Sequence, residues 1–121
     1  MLLIQILQIV VALGLLNVWV LRYSKATEFR GGASKNLKEE FQAYGLPTWV
    51  HYLVGALKLG SALLLLFGLW DARPIPFASG TVGLLMVGAL AMHLKIRDPM
   101  KKSIPAFLMF LMSATIFSLS L

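Results

Sequence analysis

The chain has 121 residues, of which 59% are hydrophobic and 13% are charged, and its formal net charge is +6. A soluble domain is about half apolar and about a quarter charged, so this composition excludes an ordinary soluble fold and indicates lipid as the solvent. The chain has no cysteine, which excludes disulfides and thiolate-held metal or iron–sulfur sites. The clustered basic residues indicate contact with anionic lipid, and nothing in the sequence indicates a nucleic-acid partner.

Four apolar runs follow one another along the chain. A helix needs about 20 apolar residues to cross a bilayer, and each run is close to that length. The first run lacks the basic start and the cleavage motif of a signal peptide, so we interpret it as a span. We predict an all-α membrane protein with a single four-helix transmembrane domain over residues 1–121, whose spans cover about 2–21, 47–70, 77–96 and 104–121.

A short amphipathic helix is predicted in the first loop, over residues 34–44. Leu37, Phe41 and Tyr44 recur at helical spacing, and charged residues occupy the other positions. Asn36 followed by Glu39 resembles a capping box at the start of this helix. We expect the helix to lie on the membrane surface, because no other apolar surface near it in the sequence would cover its apolar stripe.

The loops predict the orientation of the spans. The first and third loops are rich in lysine and arginine, whereas the second has only Arg73, next to Asp71. The positive-inside rule therefore places loops one and three in the cytoplasm and both termini outside. The basic residues behind this prediction are Arg22, Lys25, Arg30, Lys35 and Lys38 in the first loop and Lys95, Arg97, Lys101 and Lys102 in the third.

Lys58 is the one charged residue inside the predicted second span. At about 1.5 Å per residue it lies roughly 16 Å from the predicted helix start, near the middle of a ~30 Å hydrocarbon core. A lysine there costs at least about 2.5 kcal/mol, and intramembrane ionisable residues are functional candidates by default. No Asp or Glu lies in any span. Three alternatives stay open: Lys58 is neutral, binds an anionic or carbonyl-bearing ligand, or reaches an interface or a partner chain.

Four other polar residues are candidates for the same ligand-binding site. Gln8 of the first span is predicted at a depth similar to that of Lys58, with helix–helix adhesion as its alternative role. His51 precedes Lys58 by seven residues and so shares its helix face. His93 and Asn17 are predicted at the depth of His51, which makes a His51–His93–Asn17 cluster below Lys58 feasible; the alternative is two ordinary interfacial histidines. Two histidines without a nearby Cys or acid fall short of a metal site.

Two segments carry a resemblance to a known family. One is Gly45-Leu46-Pro47 followed by the apolar run Leu53-Val54-Gly55-Ala56-Leu57-Lys58-Leu59-Gly60, and the other is Ala91-Met92-His93-Leu94-Lys95-Ile96-Arg97-Asp98. In these the chain resembles the DoxX-like family, and the similarity covers roughly the whole chain. The resemblance implies a four-helix membrane bundle. Many relatives have a glutamate at the position of Lys58, so a role built on a carboxylate does not carry over.

The resemblance implies several functions. Family members have been associated with quinone-linked oxidation of sulfur compounds, with membrane redox complexes and with chaperone-like roles. Our first hypothesis is a bundle that binds a lipophilic ligand such as a quinone, as part of a membrane redox system. The alternative is a non-enzymatic accessory or assembly subunit, with a protein partner or a second copy of itself; a small transporter is a third option. No cofactor motif is evident. We expect a multi-pass protein of a bacterial-type inner or plasma membrane.

Overall fold

The computed structural model describes residues 2–21, 31–32 and 36–121. Its helices are α1 (Leu2–Leu16), which continues as a π-helical turn over Asn17–Leu21, then α2 (Leu37–Ala43), α3 (Thr48–Phe67), α4 (Ile75–Lys95) and α5 (Met100–Ser120). The first-loop basic residues Arg22, Lys25, Arg30 and Lys35 lie outside the described residues, as does the side chain of Leu37.

The four predicted spans are confirmed as helices long and apolar enough to cross a membrane. Three of them differ from the predicted bounds. The second span ends at Phe67 because residues 68–70 form a turn. The third span runs from Ile75 to Lys95, so it begins two residues earlier than predicted. The fourth span begins at Met100, so Pro105 lies inside the helix and not in its first turn. The predicted start was too late because helical hydrogen bonding already includes Lys101 and Lys102, which precede the apolar run.

The four long helices form a closed ring. Helix α1 packs against α3 and α5, α3 packs against α4, and α4 packs against α5. Successive spans run in opposite directions, so every neighbouring pair in this ring is antiparallel. One end of the bundle, the hairpin end, holds the tight connection over residues 68–74. The other end, the basic end, holds α2 and the connection over residues 96–99.

The apolar core fills the half of the bundle toward the hairpin end. Its buried members come from all four long helices: Val11, Ala12, Leu15, Ala62, Leu65, Ile75, Ala78, Val82, Met86 and Ile116. Gln8 is 1% exposed beside this core, and its Nε2 donates a hydrogen bond to the Leu65 carbonyl over 2.8 Å. Gly68 permits this contact, since a Cβ there would lie 2.8 Å from Nε2 of Gln8.

We expect Gln8→Leu to lower the free energy of unfolding by about 1 kcal/mol, because hydrogen bonds between transmembrane helices contribute amounts of that order. Gln5→Leu is the matched control, three residues away on the same helix, because Gln5 is exposed. Unfolding in mixed micelles measures both. Equal losses in the two variants would contradict a specific role for the Gln8 contact.

Helix α2 begins with Asn36 as its N-cap, as predicted, but Glu39 completes the capping box through the Asn36 side chain and not through its backbone amide. The Oδ1 atom of Asn36 accepts from the Glu39 amide over 2.8 Å, and the Asn36 Nδ2 group donates to the Glu39 carboxylate over 3.0 Å. The expectation that nothing covers its apolar face is wrong. Phe41 and Tyr44 are buried against side chains of the bundle. The sequence places these partners far along the chain, so local pattern alone indicated an uncovered face.

Candidate functional site

A cleft of about 1000 Å³ occupies the half of the bundle toward the basic end. All four long helices and α2 contribute to its wall, which is mostly apolar. Several lining residues are exposed at mid-helix, including Leu84 at 76%, so the cleft reaches the lipid-facing surface. The polar residues that line it are Asn17, Glu40, Tyr44, Lys58, His93 and Lys102.

Lys58 lies against an aromatic ring. Its Nζ is 5.5 Å from the ring centroid of Trp19, a distance at which a cation is attracted by the ring quadrupole. Trp19 belongs to the π-helical turn, and Gly55 lies directly under its ring: a Cβ there would be 2.6 Å from Cζ3. π-Helical turns in α-helices occur frequently at functional sites. Thus the turn and the glycine together place the indole over Lys58.

Glu40 supplies the acidic group that the spans lack. It comes from α2 and lines the same cleft as Lys58. The Tyr44 hydroxyl donates a 2.6 Å hydrogen bond to Oε1 of Glu40. Glu40 was not predicted as a site residue, because the spacing placed it among the charged residues of α2 and not on its apolar stripe. The i, i+4 spacing of Glu40 and Tyr44 was the available signal.

His93 is buried at the basic end and engaged at both ring nitrogens. Its Nδ1 lies 2.7 Å from Oδ2 of Asp98, and its Nε2 lies 3.5 Å from the Tyr44 hydroxyl. Asp98 also accepts from the Gly32 amide over 3.0 Å, and Lys102 lies 3.8 Å from its Oδ1. A hydrogen-bonded chain therefore runs from Glu40 through Tyr44 and His93 to Asp98.

Two further contacts fasten the first loop to the third. The Nζ of Lys95 donates to the Tyr44 carbonyl over 2.9 Å, and the Nζ of Lys102 donates to the Gly32 carbonyl. In the sequence these lysines served to predict orientation. In the structure both bind backbone carbonyls of the segment between the first two spans. Asp98 and Tyr44 were not predicted as site residues, since their partners lie in other elements.

Aromatic rings connect the two histidines of the predicted His51–His93–Asn17 cluster. Asn17 and His93 line the cleft. His51 packs instead between Trp19 and Phe41, with ring centroids 5.3 Å and 4.9 Å away. Phe41 then contacts Tyr44 at 6.0 Å, and Tyr44 contacts His93 at 5.8 Å. His51 thus does not line the cleft, but packs against two residues that do, Trp19 and Phe41.

Gln8 lies apart from this constellation. Its amide is bonded to Leu65, seven residues beyond Lys58 toward the hairpin end. At about 1.5 Å per residue this is roughly 10 Å along the helix axis. The side chain that the structure places beside Lys58 is therefore Trp19, and the contact of Gln8 is the helix–helix adhesion considered as its alternative role.

Asp98 and Asp71 differ in what their charges do for the fold. Burial raises the pKa of Asp98, but hydrogen bonds from His93 and Gly32 and the charge of Lys102 outweigh burial and leave this pKa below its usual value. A hydrogen bond from the Arg73 side chain lowers the pKa of Asp71 to about 2. Asp71 and Arg73 form an exposed ion pair, for which we expect little effect on stability.

The lowered pKa of Asp98 predicts a loss of stability in acid. A depressed carboxyl pKa stabilises the fold above the unfolded-state value of about 3.9, and this contribution disappears as the pH falls through the folded-state pKa. We expect the free energy of unfolding to decline below about pH 4. Denaturation in nanodiscs at several pH values measures this decline, and Asp98→Asn should flatten it. An equally steep decline in Asp98→Asn would exclude Asp98 as its source.

The fold and the cleft define a class: a four-span α-helical membrane protein with a polar chain at one end of its bundle. The family model described as the DoxX-like family matches residues 6–115. The chain therefore belongs to the DoxX-like family, as the two sequence segments indicated. No curated protein and no solved structure matches the chain.

Proposed function

We propose that the cleft binds a lipophilic, carbonyl-bearing ligand such as a quinone, and that the protein serves a membrane redox system in this way. The observation that carries the proposal is the convergence of Lys58, Tyr44 and His93 on one largely apolar cleft. Ligand pockets for small organic molecules typically have such a composition and volumes of about 300–1000 Å³. A ligand reaches this cleft directly from the lipid.

Lys58 supplies the donor for a ligand oxygen. An ammonium group carries three N–H donors and no acceptor, and at mid-membrane depth water does not compete for them. Trp19 beside it also lines the cleft and adds apolar indole surface next to the bound ring. Tyr44 and His93 offer a second polar contact toward the basic end of the same cleft.

Fluorescence of Trp19 tests the proposal directly. The chain has three tryptophans, and Trp49 and Trp70 are 65% and 83% exposed, so Trp49→Phe and Trp70→Phe leave Trp19 as a selective reporter. In nanodiscs we expect decylubiquinone to quench Trp19 saturably, because the quinone ring enters the cleft that Trp19 lines. A quench that rises linearly with quinone in the lipid would contradict the proposal and favour the accessory-subunit alternative.

Two glycines of α4 provide a matched pair for the same titration. Neither Gly88 nor Gly83 has a neighbouring atom within 4 Å of an added Cβ, but only Gly88 lines the cleft. We expect Gly88→Leu to occupy the cleft and to weaken decylubiquinone binding at least about tenfold, a loss of about 1.4 kcal/mol. Gly83→Leu should bind as the parent does. Equal binding by both variants would place the ligand elsewhere.

We also propose that the basic end faces the cytoplasm, since the exposed residues Lys101 and Arg97 lie there with Lys95 and Lys102. The absence of cysteine makes this easy to test. In intact cells, a membrane-impermeant maleimide should label Ala72→Cys in the hairpin and should not label Gln42→Cys on α2. The reverse pattern would show the opposite orientation.

A further inference from the structure

We propose that Glu40, Tyr44, His93 and Asp98 form a proton-transfer chain between a hydroxyl-bearing ligand in the cleft and the loops of the basic end. The inference rests on the proposed ligand binding and adds a chemical role for four residues. It names the ligand class more narrowly: a lipophilic molecule whose ring oxygen exchanges a proton, such as a hydroxyquinone or a quinol.

The chain has one end in the cleft and the other outside it. Glu40, Tyr44 and His93 line the cleft, whereas Asp98 does not. Asp98 lies in the connection over residues 96–99, where it contacts the Gly32 amide and the partly exposed Lys102. Its own side chain is 5% exposed. A proton that reaches Asp98 has therefore crossed the wall between the cleft and the loops.

The hydrogen-bond directions permit this passage. When Nδ1 of His93 donates to Asp98, Nε2 is the acceptor atom of the ring. The single hydroxyl proton of Tyr44 then has two acceptors, Oε1 of Glu40 at 2.6 Å and Nε2 of His93 at 3.5 Å. An imidazole that accepts a proton at one nitrogen and releases another from the second suits a proton shuttle.

The transfer balances without any change of oxidation state. The ligand O–H bond breaks, and its proton passes to the Glu40 carboxylate. Tyr44 accepts that proton as its own hydroxyl proton moves to Nε2 of His93, and the Nδ1 proton moves to Oδ2 of Asp98. The ligand has lost one proton and Asp98 has gained one, with the intermediate residues returned to their starting composition.

Charges from every neighbouring element surround the chain. Helix α3 contributes Lys58, which lines the same cleft as Glu40, and His51, which packs on Phe41. Helix α4 contributes Lys95, which is bonded to the Tyr44 carbonyl, and α5 contributes Lys102 beside Asp98. Helix α2 also carries the exposed Lys38. Lys102 beside Asp98 favours the carboxylate form of Asp98, which is the form that can receive a proton. The same charge weakens the hold of Asp98 on that proton, so Asp98 passes it on toward the loops.

A hydroxynaphthoquinone with an alkyl tail provides the probe, because its colour reports ionisation of its hydroxyl. Its occupancy is read from quenching of Trp19, and its ionisation is followed by stopped-flow absorbance after a jump in external pH. We expect His93→Gln and Tyr44→Phe to slow ionisation of the bound dye by about 100-fold, in the range of general acid–base effects. Tyr44→Phe retains the ring that packs on Phe41 and His93, so its fold is preserved.

The controls separate proton transfer from structure and from binding. Asp98→Asn should slow ionisation, and added imidazole should restore its rate, which a merely structural defect would not allow. Asp71→Asn makes the same chemical change at the hairpin end and should leave the rate unchanged. If the dye binds but ionises at the parent rate in His93→Gln, Tyr44→Phe and Asp98→Asn, the chain is refuted and ligand binding stands. If the dye does not bind the parent protein, both proposals fall.

Discussion

Lys58→Met is expected to abolish quinone binding and to leave the empty protein at least as stable as the parent. The variant removes the one lysine of the second span, which is the proposed donor for the ligand oxygen. It also removes an insertion cost of at least about 2.5 kcal/mol. Against this stands the loss of the contact with Trp19, for which about 2 kcal/mol is a generous value. The two terms leave a small net gain.

Two measurements on the same sample check this prediction. Thermal unfolding without ligand reports the stability, and the decylubiquinone titration of Trp19 reports the binding. Lys101→Met is the control for the loss of a lysine charge from an exposed position. A variant that binds the quinone normally, or that unfolds more easily by over about 2 kcal/mol, would show that Lys58 serves the packing of Trp19.

Gly55→Ala is expected to destabilise the bundle by about 1–3 kcal/mol, the usual cost of overpacking. The added methyl group would lie 2.6 Å from Cζ3 and 3.0 Å from Cε3 of Trp19. The ring is enclosed by His51 and Phe41, so it has little room to move. We expect its displacement to shift the Trp19 emission and to weaken ligand binding as well.

Gly60→Ala is the matched control on the same helix. Nothing lies within 4 Å of a Cβ added at Gly60, and alanine is favoured over glycine in a helix by up to about 1 kcal/mol. We therefore expect Gly60→Ala to be neutral or stabilising. Chemical denaturation of both variants in the same micelles measures the difference, and similar stabilities would refute the close contact under Trp19.

The spans were predictable because a bilayer imposes length and apolarity on each helix separately. Such a constraint is local, and hydropathy along the chain records it. The capping box of α2 was predictable for the same reason, since Asn36 and Glu39 are three residues apart. The start of α5 was predicted too late, because its first turn is polar and helical hydrogen bonding does not require apolar side chains.

The candidate site was only partly predictable because its contacts join distant parts of the chain. Depth along a helix predicted that Lys58, His93 and Asn17 share one region, and all three line the cleft. Depth alone did not predict which side chain faces which, so Gln8 was expected near Lys58 where the structure has Trp19. Glu40 was missed because local spacing did not show that α2 forms part of the cleft wall. Asp98 was missed because its partner Gly32 lies in another loop.

The lateral opening of the cleft determines what a ligand would displace when it binds. In a bilayer, a cavity open to the hydrocarbon region is filled by lipid acyl chains when no ligand is present. Ligand binding is then an exchange of one apolar occupant for another, and lipid tails are as apolar as the side chains that line the cleft. For the proposed ligand, the free energy of this exchange would come mainly from the polar contacts. We therefore expect selectivity to depend on Lys58, Tyr44 and His93, and the apparent affinity to depend on the lipid that the ligand displaces.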